Sequence, residues 1–208
     1  MSGSSFTPSP ELAPETLLWA YRRGYFPMPH PETDEILWFT PDPRAVFPLD
    51  GFHVSRSLRR RLRQPFTVTI DRCFERITAG CAARAETWLI PAMREAYQNL
   101  HRIGHAHSIE VWAPNNETKG HDHPLTLAGG LYGVAIGGAF FAESMFHTET
   151  DASKIALYHL TKHLKARGFA LLEVQFLTPH LKSLGAVEIP LSTYLKILAP
   201  AVRLPVSF

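Results

Sequence analysis

Glu173 and Gln175 stand two residues apart in the run LLEVQF, residues 171–176. Successive side chains of a strand point to opposite faces. The spacing therefore puts the carboxylate and the amide on one face with Leu171, and Leu172, Val174 and Phe176 on the other. Burying such a polar pair without partners costs a few kcal/mol. Either the face is wet, or the two groups await a ligand. Glu143, in FFAESMF, is a third candidate. A helical stretch over 152–167 separates its strand from that of Glu173, and strands joined by one crossover helix are often neighbours in a sheet. Glu143, Glu173 and Gln175 are thus expected to converge on one pocket near Ser144 and Met145. The alternative is that both glutamates pair with arginines.

Other chemistries have less support. His105 and His107 (HAH), and His121 and His123 (HDH, with Glu117 nearby), have the spacing of paired imidazoles, but no third ligand is placed beside them. No metal and no cofactor are expected. GGLYGVAIGG is glycine-rich but does not lead into a helix as a dinucleotide fingerprint does; a GxxxxGK[ST] loop and a nucleophile elbow are absent. In SRSLRRRLRQ, Arg56, Arg59, Arg60 and Arg63 follow helical spacing along one side, with Leu58 and Leu62 as anchors and Ser55 as candidate cap. The stripe suits a phosphate backbone or is simply a solvated face.

The elements that must position these groups follow from periodicity. The spacing predicts helices in PETLLWAYRRG, in PAMREAYQNLHRIG with Met93, Ala96, Tyr97, Leu100 and Ile103 inward, and over 152–167 with Asp151 as candidate cap and Gly168 as stop. Strands are predicted at FTVTID, HSIEVW and FALLEVQF, and KSLGAVEIP reads as a turn plus a strand. LYGVAIGGAFFAESMF reads as two strands joined at Gly137–Gly138. PNNETKGHDHP is a polar loop. Trp38 and Phe39 face opposite ways on a strand, which leaves one available to stack. The order of elements implies an α+β fold with a mostly antiparallel sheet over residues 66–208, and a smaller proline-rich α+β domain over residues 1–65.

The chain has 208 residues, 45% of them hydrophobic, with a formal net charge of +2 and two cysteines. This suits one large domain or two small ones and excludes disordered, fibrous and disulfide-scaffold classes. No apolar run is long enough to span a bilayer and no signal peptide is visible, so the expected compartment is the cytoplasm.

Several stretches resemble the leucyl/phenylalanyl-tRNA–protein transferases: AYRRGYFPM, WFTPDPRAVF, FHVSRSLRR, TWLIPAMREAY, LAGGLYGVAIGGAFFAESMF, ASKIALYHL and EVQFLTPHLKSLGAVEIP. They run in family order from about Leu12 to Pro190. The resemblance implies an enzyme that moves leucine or phenylalanine from its tRNA to the N-terminal arginine or lysine of a protein, marking it for N-end-rule degradation. It implies a catalytic domain resembling the acyl-CoA N-acyltransferase fold, working as a monomer without acyl-CoA. Gln175 matches the family's catalytic glutamine, Glu173 stands where an aspartate is more usual, and Glu143 matches a functional glutamate. Glu173 is expected to orient the Gln175 amide. Leu131, Phe140 and Met145 match positions lining a pocket for the transferred side chain, with Ser144 beside them. Trp38 and Trp88 match aromatic positions near the 3′ adenosine, and Arg56, Arg59, Arg60 and Arg63 would hold the acceptor stem. A GLLA-x-GG-x-L type motif that opens longer members has no counterpart here. Two other readings stay open: an acyl-CoA-dependent N-acyltransferase, whose pyrophosphate loop ESMFHTETDASK does not supply, and a non-enzymatic RNA-binding module.

Overall fold

A computed structural model describes residues 12–85, 87–114 and 125–208. The polar loop with His121 and His123 lies outside the described residues. Helix α1 (Pro14–Tyr21) leads into a two-stranded sheet of β1 (Phe26–Pro29) and β2 (Ile36–Phe39). The main sheet has seven strands, built from β3 (Arg44–Val46), β4 (Thr67–Ile70), β5 (Ala106–Pro114), β6 (Leu125–Ile136), β7 (Ala139–His147), β8 (Leu171–Glu173) and β9 (Val187–Ile189). Their order is β4-β5-β6-β7-β8-β3-β9. Every neighbouring pair is antiparallel except β7 and β8, which run parallel because helix α5 (Ala152–Ala166) crosses between them. The fold is α+β with a mostly antiparallel sheet, as the order of predicted elements implies.

Helices cover both faces. Leu17 and Tyr21 of α1, Ile77 of α3 (Phe74–Ala82), Met93 and Tyr97 of α4 (Pro91–Arg102) and Tyr194 of α7 (Leu191–Ala201) form one core with Phe141 and Leu171. Ile155, Leu157 and Leu160 of α5 form the other with Phe140 and Leu172, joined by Leu58 of α2 (Arg56–Arg61) and Leu184 of α6 (Pro179–Leu184). Adjacent strand residues thus feed opposite cores, which is the two-residue period of a sheet covered on both sides. The β6–β7 hairpin turns at Gly137 and Gly138; Gly137 has φ +53, a conformation that costs glycine little.

Three local expectations need correction. Asp151 sits at the N-terminal boundary of α5 with φ 68 and caps no backbone amide; its carboxylate binds Lys154 Nζ at 2.7 Å instead. Arg63 lies beyond the end of α2, whose C-cap is Leu62; Ser55 caps that helix as expected, accepting from the Leu58 amide at 3.2 Å. Strand β3 comes from the first 65 residues yet pairs with β8 and β9. A three-residue strand between prolines carries no readable alternation, so the sequence pattern hides it.

Candidate active site

The register of β7 and β8 aligns Ala139 with Leu171, Phe140 with Leu172 and Phe141 with Glu173. Just past the end of this register, Glu143 and Gln175 come together, with Gln175 Nε2 3.3 Å from Glu143 Oε1. Both residues sit where regular pairing fails. Opposite β6, Gly133 pairs with Ala142 and Tyr132 with Ser144, which leaves Glu143 as an extra, bulged residue. Opposite β3, the Val174 amide donates to Ala45 O at 3.1 Å and the Ala45 amide donates to Gln175 O at 3.1 Å, two residues against one. Gln175 takes φ +55 there. Bulges of this kind re-aim side chains, and a left-handed non-glycine residue persists only when its surroundings fix it.

The surroundings do fix it. Glu173 Oε1 accepts from the Gln175 backbone amide at 2.7 Å. The same oxygen lies 3.3 Å from Arg44 Nε, in a pair that is 1% exposed on both sides. The Arg44 guanidinium also donates to Gly24 O and lies over the rings of Phe26 and Tyr194, at 4.9 and 4.6 Å to the centroids. Glu173 therefore holds the backbone of Gln175, whereas its side-chain amide is held by Glu143, whose Oε1 accepts from Gln175 Nε2 at 3.3 Å. The expectation that Glu173 orients the amide is corrected. The amide nitrogen is occupied, so its oxygen is presented for accepting a hydrogen bond.

Glu143 is itself clamped. Its Oε1 accepts from Tyr21 at 2.7 Å and its Oε2 from Tyr97 at 2.9 Å, and the two phenol oxygens are 3.0 Å apart. Burial pushes the Glu143 carboxyl up to about 8; nearby Glu173 adds to the rise, while the Tyr21 and Tyr97 hydroxyls and Arg44 oppose it. Burial also raises Glu173, against the pull of Arg44 and the Gln175 amide. Tyr21 and Tyr97 are raised well above the ordinary phenol value by burial and by Glu143, so both remain donors.

Two small cavities meet at this pair. One, of about 80 Å³, is lined by Leu131, Met145, Leu157, Val174 and Leu181 with Ser144, Glu143 and Gln175. The other, of about 120 Å³, is lined by Phe26, Met28, Trp88 and Phe176 with the same Glu143 and Gln175. Leu131, Ser144 and Met145 thus line the first cavity and Trp88 the second. Phe140 does not: it is fully buried under α5, with its ring centroid 5.1 Å from that of Phe208. Trp38 is 4% exposed in the core, and its neighbour Phe39 is the outward residue of β2. Phe176 does not share the buried face of Leu172 and Val174, because the turn at Gln175 swings its ring, about half exposed, to within 5.7 Å of that of Phe26. Glu173 reaches neither cavity.

Arg56, Arg59, Arg60 and Arg63 are all exposed. His107 binds Asp71 at 2.7 Å, and His105 Nδ1 lies 3.3 Å from Ala135 O. Among the described residues, no group of three or more His, Cys, Asp or Glu side chains could hold a metal ion. Arg44, Tyr21 and Tyr97 were not singled out by the sequence. Their signal was indirect: a phenol buried on the inward face of a helix needs a hydrogen-bond partner.

Two family models cover this chain. Leucyl/phenylalanyl-tRNA protein transferase matches residues 46–199, and the leucyl/phenylalanyl-tRNA protein transferase N-terminal domain matches residues 10–42. The chain belongs to this family. The leucyl/phenylalanyl-tRNA–protein transferase of Ruegeria pomeroyi is 52% identical over 194 residues, covering 92% of this chain and 88% of that one. Those of two Cereibacter sphaeroides strains are each 49% identical, covering 93% and 96% of this chain and 86% and 89% of theirs. A looser likeness of chain trace, with TM-score 0.39 and 14% identity over 81% of this chain and 55% of the other, is to the structure of L-PGS from Bacillus licheniformis. Of the three readings open in the sequence, the family match selects the transferase. In this transferase-family chain the N-terminal domain match ends at residue 42 and the other begins at 46, so the seam between them falls at β3.

Proposed function

We propose that this chain moves leucine or phenylalanine from aminoacyl-tRNA to the N-terminal arginine or lysine of an acceptor protein, with Glu143 and Gln175 at the reaction centre. The observation that carries this reading is that both residues form the shared wall of two cavities and bind each other there. The branched apolar walls of the smaller cavity suit the transferred side chain, and Trp88 with Phe26 suits the 3′ adenosine. The ester between them then lies against Gln175.

The donor is an ester and the product an amide, so the reaction runs downhill without ATP. The enzyme's work is positioning. The incoming α-amine has a pKa near 8. Gln175 Oε1 accepts a hydrogen bond from that amine and aims its lone pair at the ester carbon. As the C–N bond forms, nitrogen becomes positive and must shed a proton. Glu143 is the buried carboxylate within reach, and with its pKa raised to about 8 it is matched to the amine as proton acceptor. Glu173 and Arg44 act through the Gln175 backbone and are positioning residues. The exposed arginines of α2 hold the acceptor stem by its phosphates.

The proposal includes a relationship to the acyl-CoA N-acyltransferase fold, resting on the mostly antiparallel sheet with its one parallel pair, β7 and β8, and a smaller N-terminal unit over residues 1–65. Action as a monomer in the cytoplasm, marking proteins for N-end-rule degradation, completes the proposal. Among the described residues no helix is long and apolar enough to cross a membrane.

The test is transfer of labelled leucine from leucyl-tRNA to a peptide beginning with arginine, beside the same peptide beginning with alanine. Transfer to the arginine peptide alone is expected, and Gln175→Ala should lose rate while retaining most donor affinity. Transfer to neither peptide, with leucyl-tRNA still bound, would overturn the reading.

A further inference from the structure

We propose that the open cavity of about 720 Å³ beside the amino-acid pocket takes the phosphodiester backbone of the donor's single-stranded 3′ end, with Arg84 and Lys154 binding its phosphates. The assignment rests on the reading that the donor is an aminoacyl-tRNA.

The cavity's position is set at both ends. Met145 lines it and also lines the small apolar cavity that contains Gln175, so the two adjoin. Thr150 lines it too, and Thr150 O accepts from Arg61 Nη2 of the arginine helix α2 at 2.8 Å. One wall thus runs from helix α2, which also carries Arg56, Arg59 and Arg60, past Thr150 to Met145 beside the reaction centre. An RNA held by its stem on α2 has to cross this hollow to place its last nucleotide.

The cavity's chemistry fits that strand. Arg84 and Lys154 line it, with His147 and His180 as further N–H donors. The carboxylate in its wall, Asp151, is engaged by Lys154 at 2.7 Å. Arg84 meets only neutral partners, Ser144 Oγ at 3.4 Å and Met145 O at 3.3 Å, and among the described residues it pairs with no carboxylate. An exposed guanidinium held this weakly is free to take a bidentate phosphate. Phe146 adds an aromatic wall. Its ring packs on Gly80, where a Cβ would lie 2.5 Å from the ring. Cations beside an aromatic surface are what a single-stranded nucleic acid site uses. The acceptor peptide, which starts with a cation, would be repelled from the same hollow.

The experiment compares two donors of the same ester, leucyl-tRNA and 3′-O-leucyl-adenosine, which has no internucleotide phosphate. The variants are Arg84→Ala, Arg84→Lys and Lys154→Ala. For the alanine variants kcat/KM with leucyl-tRNA should fall about tenfold, the scale of one charge-assisted hydrogen bond. The slope of log affinity against log salt should shrink by about 0.7 for each phosphate that is no longer neutralised. Transfer from leucyl-adenosine should be unchanged, and Arg84→Lys should keep most tRNA-dependent activity. Equal losses with both donors, no loss with leucyl-tRNA, or an unaltered salt slope would overturn the assignment. Failure of the unmodified protein with both donors would instead overturn the reaction itself, and the assignment with it.

Discussion

Glu143 holds the Gln175 amide by its nitrogen, at 3.3 Å, with the same carboxylate oxygen that accepts from Tyr21. One buried carboxylate thereby fixes the direction of the amide and keeps lone pairs of its own for a proton. Two bulges, one at each residue, aim the pair into a common space. The arrangement depends on α1, α4 and β3 as much as on the two strands that carry it.

The first prediction concerns pH and stability. An unfolded glutamate loses its proton near 4.5, whereas Glu143 in the fold keeps it to about 8. Between these values the folded state binds a proton that the unfolded state has lost, so this residue's contribution to stability is lost as pH rises through the window. Glu143→Gln removes that titration. Urea unfolding measured near about pH 5 and about pH 9 should show a shallower fall for the variant than for the parent, with a residual slope from Glu173, which is raised in the same sense. Transfer by the variant should drop by about 10²–10⁴-fold, the range for losing a positioned proton acceptor. Identical pH slopes in both proteins would mean that Glu143 is not a buried, titrating carboxylate.

Arg44 and Glu173 provide the second. Arg44→Met leaves a buried carboxylate without its counter-charge, and breaking such a pair costs about 3–5 kcal/mol. Adding Glu173→Leu to the same chain should restore a large part of that loss, because the stranded charge is gone. The double-mutant cycle by chemical denaturation measures the coupling. Each single variant should lower kcat more than it raises KM, since the damage reaches the substrate only through the Gln175 backbone. Additive losses would show that the two side chains act independently.

The two tryptophans separate in the third. Trp88 lines the cavity beside Glu143, and Trp88→Ala should weaken donor binding by about 1–3 kcal/mol, the value of one base stack. Trp38 is packed in the core, so Trp38→Ala should lower stability by about 3–5 kcal/mol while the folded fraction keeps its donor affinity. Donor titrations paired with melting curves distinguish them; a larger affinity loss at Trp38 than at Trp88 would reverse the assignment.

The hairpin at Gly137–Gly138, helix α4 and helix α5 were legible because their periods are long and their punctuation is strong. The meeting of Glu143 with Gln175 was legible from connectivity alone, since one crossover helix joins their strands. Not every short element was. Strand β3 has three residues, too few for alternation to register, and its partners lie far along the chain. Helix α3 combines apolar Phe74, Ile77 and Cys81 with Thr78 and Gly80, poor helix formers that mask its face. The bulges cannot be read either, because they are set by what lies across the sheet. Hence Glu173 could be placed on the correct face from its spacing, but its partner, the backbone of Gln175, could not. Trp38 and Phe140 failed for a related reason: sequence alone does not say which face of a strand meets a cavity and which meets a helix.

The position of β3 between β8 and β9 also bears on how the molecule is made. A ribosome releases Arg44 long before it synthesises Glu173 or β9, so an early strand has to wait, unpaired, for late ones. Such distant pairing slows folding, because a large loop must close before any contact rewards it. It also means that an interrupted translation product cannot assemble the Arg44–Glu173–Gln175 linkage. The proposed reaction centre is thereby incomplete until synthesis of the chain has passed β9.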